Sequence, residues 1–163
     1  LRGIAEKMIS GADDNTESMW NARYITEDER IQEISFGEKE GKRVRDENGK
    51  LIDPDIICFF QETEKYLPPK GAESFEMLLA RTGDFLEELK RKACSDSEQD
   101  ANILVSTHGA ASRALLANIT HCPLRDFWCG GVPKNCAVTI VDLVNGEWKI
   151  KEQDIIYYGN ENI

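Results

Sequence analysis

The stretch ILVSTHGAASRALLANI, residues 103–119, decides the fold. An apolar run, Ile103 to Val105, gives way through Ser-Thr-His-Gly to a segment rich in Ala and Leu. A short apolar run bounded by turn signals reads as a buried strand, and Leu115, Leu116 and Ile119 carry the spacing of a helix beyond it. The stretch therefore predicts a strand, a tight junction holding His108, and a helix from Ala110 to about Thr120. In open α/β sheets, ligands settle beyond the carboxyl ends of strands, where loops lead into helix N-termini. Gly109, having no side chain, would let an anion approach the first amides of that helix beside the imidazole. The alternative for His108 is a neutral ring satisfied at a strand end.

Working outward, residues 72–93 (AESFEMLLARTGDFLEELKRKA) carry the clearest helical pattern, with Phe75, Leu78, Leu79, Thr82, Leu86 and Leu89 on one stripe. Acidic residues lead it and Lys-Arg-Lys closes it, as the macrodipole favours. Residues 53–71 (DPDIICFFQETEKYLPPKG) predict a short irregular helix ending before Pro68. Residues 23–37 (RYITEDERIQEISFG) predict a short strand, then charged residues and an aromatic-Gly stop; residues 38–50 predict a solvated loop or a lid. Within that loop, Lys42, Arg43 and Arg45 are either solvated or a guide for an anionic substrate. Asn145-Gly146 between two apolar alternating runs signals a hairpin within residues 135–155. Strand–helix alternation ahead of a hairpin argues for an α/β domain whose sheet is mostly parallel with one antiparallel edge. Residues 1–9 have helical spacing with no cap in front, as if the chain starts inside an element.

The 163 residues suit one compact domain. Twenty basic against thirty acidic residues give a net charge of −10, which repels nucleic-acid phosphates and anionic lipid. A small anionic substrate would then need its own basic pocket. No apolar run approaches the roughly 20 residues of a membrane span, and the N-terminus lacks the layout of a signal peptide. Five cysteines without a C-x-x-C pair suit reduced thiols in the cytoplasm. His121, Cys122, Cys129 and Cys136 lie too far apart in sequence for an ordinary zinc site.

Glu33 follows the strand-like segment and precedes Phe36-Gly37, so its carboxyl can turn toward the rim where His108 sits. Together they are the parts of a phosphoryl-transfer site: an acid for the leaving oxygen and an imidazolium for the charge on the equatorial oxygens. Alone, Glu33 would be one more surface acid.

ERIQEISFGEKEG, PPKGAESFEMLLARTGDFLEEL and ILVSTHGAASRALLANI, in this order, resemble the histidine phosphatase superfamily, which includes cofactor-dependent phosphoglycerate mutases and many small phosphatases. The resemblance runs from about Glu29 to Val141. It implies a three-layer α/β/α sandwich, with His108 as the second, phosphate-binding histidine, Glu33 as the general acid and Gly109 lending an amide. Glu73, in the Ala-Glu-Ser that resembles the family's Gly-Glu-Ser, would sit at the pocket mouth or cap the following helix, with the cap favoured. It further implies a phosphomonoester hydrolase acting through phosphohistidine on a small phosphorylated substrate, without metal or cofactor. The family's Arg-His-Gly stretch, which carries the nucleophile, does not occur in this sequence. His121 stands a full helix away from His108 and cannot replace it. The expectation is therefore a single domain over residues 1–163, N-terminally incomplete, with Arg2 as a possible pocket residue. Two alternatives stay open: a mutase-type phosphotransferase, disfavoured by the short span between Gly37 and the Ala-Glu-Ser stretch, and a phosphate-ester-binding domain without turnover.

Overall fold

The computed structural model describes residues 26–95 and 102–158, excluding the side chains of Cys94 and Ser95. The expected helix over residues 1–9 and the possible pocket residue Arg2 lie outside them. Three helices and a hairpin organise the described chain: α1 (Pro54–Gln61), α2 (Phe75–Ser95), α3 (Gly109–Thr120), β1 (Val138–Val144) and β2 (Glu147–Ile155). Helix α1 starts where Asp53 accepts from the amides of Asp55 and Ile56, with Pro54 at the first helical position, whose absent N–H would have had no partner there. Ser74 opens α2, its hydroxyl accepting from the Met77 amide at 3.3 Å. The cap is thus Ser74 and not Glu73, because the short hydroxyl reaches the orphan amide while the Glu73 carboxylate is engaged elsewhere.

The α2 stripe lands on the core: Phe75, Leu78, Thr82 and Leu86 are buried, and Phe85 joins them. Helix α3 packs against α2 and buries Ala110, Ala111, Ala114 and Ala117 in the core, small side chains that permit close approach. Their seam also carries a polar rung, Asn118 Nδ2 donating to Leu79 O at 2.9 Å and to Thr82 Oγ1 at 3.0 Å. At one end, Phe59 of α1 touches the rings of Phe36, Phe60, Tyr66, Phe75 and Trp128, and Trp128 Nε1 donates to Phe59 O. Residues 38–50 form the exposed loop the charges imply, closed on itself where Arg43 Nε donates to Arg45 O and Arg45 Nη1 to Gly49 O.

The β1–β2 hairpin turns at Asn145-Gly146, both at positive φ (53° and 77°), the geometry of a type I′ turn. Its register shifts between Val138 and Val141, opposite Asp154, whose φ of 55° swings its carboxylate onto Arg113 Nη2 at 2.9 Å. Arg113 is almost wholly buried, and this pair fastens the hairpin to α3.

The chain is an α/β fold, but among the described residues the sheet is this antiparallel pair alone, not a mostly parallel one. Residues 102–107, expected as a buried strand, form no ladder, and Ile103 and Leu104 are 60% and 66% exposed. An apolar run becomes a buried strand only when neighbours take up its amides and cover its faces, which composition cannot show. The strand expected ahead of Glu33 is likewise not found in the described part of that segment, where Glu29–Ile31 is a single 3₁₀ turn. Among the described residues no helix is long and apolar enough to cross a membrane.

Candidate functional site

Three sequence motifs meet around one carboxylate. Residues 33–35 belong to no helix or strand, so nothing regular holds them. On one side they lie against the loop before α2: Glu73 N donates to Ser35 O at 2.9 Å, Glu38 N to Lys70 O at 3.1 Å, and Phe36 bridges Ala72. On the other side Thr107 Oγ1 donates to Ile31 O at 2.6 Å, tying the segment to the residue before His108.

So held, the Glu33 side chain reaches the N-terminus of α3. Its Oε1 accepts from Ala110 N and Ala111 N at 3.1 Å each and from its neighbour Ile34 N at 3.0 Å; Oε2 accepts from Ala110 N at 3.2 Å. The amides of Ala110 and Ala111 are orphan donors of the first turn of α3, and the helix dipole adds attraction for a negative charge. His108 is the N-cap residue of the same helix, extended at φ −108°, and its exposed side chain makes no capping bond. A carboxylate from another segment does the capping instead, and the ring is left to solvent. A Cβ on Gly109 would stand 3.2 Å from Val132 Cγ1, closer than an ordinary contact, and 3.7 Å from Glu33 Oε2. Glu33, His108 and Gly109 thus share one helix terminus.

An open cleft of about 490 Å³ adjoins Glu33, with Gln32, Ser35, Glu73, Met77 and Arg81 among its walls. Its two cations are both engaged. Arg30 donates to Asp28, Asp84 and Glu88, which hold its guanidinium firmly protonated, and its plane lies over Phe85. In return, the hydrogen bond from Arg30 holds the Asp28 carboxyl below the usual carboxylate range. Arg81 grips Glu73 through Nε and Nη2. The sequence analysis singles out Glu73, for a capping or pocket-mouth role, and does not single out Arg81. Helical spacing does not announce their pairing, since Glu73 precedes α2 and eight residues of helix would set it about 12 Å from Arg81 along the axis.

His121 is the C-cap of α3, in the left-handed region at φ 55°. The whole helix, roughly 18 Å at 1.5 Å per residue, separates it from His108. Cys58, Cys122, Cys129 and Cys136 carry free thiols, and among the described residues no three His, Cys, Asp or Glu side chains gather as a metal site.

The family model of the histidine phosphatase superfamily (branch 1) matches residues 18–155. No curated protein matches the chain by sequence. Among solved structures, Bacillus stearothermophilus YhfR is 25% identical with a TM-score of 0.64, over 80% of this chain and 61% of that one. Mycobacterial hydrolase 1 (19% identity, TM-score 0.53, 78% of this chain and 64% of that one) and mycobacterial hydrolase 2 (18%, 0.54, 78% and 58%) share the fold. The chain therefore spans between 58% and 64% of the length of these three proteins. With 18–155 matched and the three motifs converging on one helix terminus, the chain belongs to the histidine phosphatase superfamily.

Proposed function

We propose that the complete protein hydrolyses small phosphomonoesters through a phosphohistidine. The observation that carries this reading is the Glu33 carboxylate on the first amides of α3, at the helix terminus that His108 opens. In this reading the domain is a three-layer α/β/α sandwich. Residues 102–107 form one strand of a mostly parallel sheet, and the apolar faces of Ile103 and Leu104 pack against strands from outside the described residues. The nucleophile is a histidine outside this sequence, since His121 is a helix away. Its ring nitrogen attacks phosphorus, the bond to the ester oxygen breaks, and Glu33 passes its proton to that oxygen, releasing the alcohol. His108 and the Gly109 amide stabilise the charge on the transferring group. Water then attacks the phosphohistidine, Glu33 takes its proton, and the P–N electron pair returns to the imidazole.

Turnover of p-nitrophenyl phosphate by the encoded full-length protein, with an acid-labile phosphohistidine trapped during it, is the expected result. The same assay on the 163-residue chain should show none. Absence of turnover and of phosphohistidine in both would leave a domain that binds phosphate esters without chemistry. Transfer of the phosphoryl group to a second alcohol in place of water would point to a mutase.

A further inference from the structure

We propose that Glu73 and Arg81 form a clamp whose task is to position Glu33 for proton transfer; this rests on the phosphomonoesterase reading above. The segment bearing Glu33 has no ladder or helix of its own to fix it. Its backbone is fixed instead by two residues of the α2 region. Arg81 Nη1 donates to Arg30 O at 2.7 Å and to Gln32 O at 2.9 Å, the latter being the residue directly before Glu33. The other face of the same guanidinium is held by Glu73, Nε to Oε1 at 2.6 Å and Nη2 to Oε2 at 2.8 Å. Glu73 also uses its main chain, its amide donating to Ser35 O two residues beyond Glu33. The backbone is thus pinned at positions 30, 32 and 35.

This arrangement needs an arginine. A planar fork can satisfy a carboxylate with two N–H groups and still turn a third nitrogen toward two carbonyls, whereas an ammonium is a single point. Both side chains are largely withdrawn from solvent, at 20% and 13% exposure, so the grip is not that of a loose surface pair. Glu33 reaches from this pinned backbone to α3, and a displacement of about 1 Å at a reacting group can cost roughly 10²-fold in rate. Arg81 touches no reacting atom in this scheme; it is a positioning residue acting through Glu33.

The test exploits the leaving group. Alkyl phosphates need a proton on the departing oxygen, while 2,4-dinitrophenyl phosphate leaves without one. In the full-length protein, Arg81→Ala and Glu73→Ala should lower kcat/KM for an alkyl phosphate by roughly 10²-fold and for the dinitrophenyl ester only a few-fold. Arg81→Lys should show the same selective loss, and Glu33→Gln should reproduce it more severely. Equal losses on both esters, or none on either, would overturn the positioning role. A second measurement needs no turnover: amide hydrogen exchange at Ala110 and Ala111, which Glu33 protects, should quicken at least tenfold in Arg81→Lys. Unchanged exchange overturns the clamp. Faster exchange in a protein that hydrolyses neither ester upholds the clamp as the holder of Glu33 and overturns only the phosphomonoesterase reading on which its catalytic task depends.

Discussion

Gly37 and Ala72 meet backbone to backbone: a Cβ on Gly37 would stand 2.3 Å from Ala72 N and 2.4 Å from Gly71 C. The Phe-Gly motif and the Pro-Pro-Lys-Gly-Ala-Glu-Ser motif are therefore two halves of one joint. Each supplies a backbone the other must approach, which gives a physical reason for their appearing together in one sequence. The joint fixes where the Glu33 segment emerges, and Thr107 adds the third motif by its bond to Ile31 O.

Gly37→Ala should be severely destabilising. Its φ of 53° is one that L side chains adopt at a cost, and the added methyl meets main chain that cannot rotate away. We expect a loss of about 3 kcal/mol or more in urea unfolding, combining strain and overpacking. Gly49→Ala is the control: its φ is 80°, yet nothing lies within 4 Å of the added atom, so only the conformational cost of about 1 kcal/mol should appear. Equal effects in the two variants would show that the joint is not tight.

What the sequence disclosed follows from how local the physics is. The α2 stripe, the Asn145-Gly146 hairpin and the extent of α3 depend on spacing and turn chemistry within a few residues, and all three are found. The strand expected over Ile103 and Leu104 is not found among the described residues, because strand formation depends on remote partners that no local pattern contains. Glu33 was placed at the right helix terminus by motif order, but its bonding was not readable: it caps α3 from 77 residues away in sequence. Arg81 went unremarked because an arginine on an amphipathic helix has an ordinary explanation as a solvated residue, and only the backbone it grips says otherwise.

Glu33 has a structural duty that can be separated from its chemistry. Glu33→Ala removes the acceptor for two orphan amides of α3 and the charge that the dipole attracts, and should cost about 1–2 kcal/mol. Glu33→Gln keeps a carbonyl oxygen for those amides and loses only the charge, so its cost should be about 0.3–1 kcal/mol. In the full-length protein the proposed turnover should nevertheless collapse in both, with phosphate binding retained in Glu33→Gln. Thermal unfolding beside steady-state assays checks the separation, and a Glu33→Gln protein with unchanged turnover would remove Glu33 from the mechanism.

Acid should loosen two ties at once. Arg30 holds Asp28 below its ordinary carboxylate value, and Lys39 does the same for Asp53, the residue that caps α1. A carboxyl whose folded pKa is depressed contributes stability that is complete above its unfolded value, about 4, and is lost as pH falls from there through the folded value. Urea midpoints should therefore be flat from pH 7 to 5 in respect of these groups and fall below about pH 4. Asp53→Asn, which keeps a capping oxygen but cannot titrate, should show a shallower acid slope than the parent. An identical slope would mean that the Lys39 pair contributes nothing to the acid limb.

The tie between Arg113 and Asp154 should prove asymmetric. Arg113 is 4% exposed and relies on Asp154 for charge and on Gly131 O for a second acceptor, while Asp154 is 30% exposed and can turn to water. Asp154→Ala therefore strands a buried guanidinium, a loss expected at about 3–5 kcal/mol. Arg113→Met leaves a carboxylate that water can still reach and fills the vacated space with apolar volume, so its cost should stay below about 2 kcal/mol. Because the large penalty belongs to the uncompensated charge, combining the two substitutions should recover part of what Asp154→Ala loses, a coupling that a double-mutant cycle reads directly. Additive losses in that cycle would mean that the hairpin is held to α3 by packing, with the ion pair incidental.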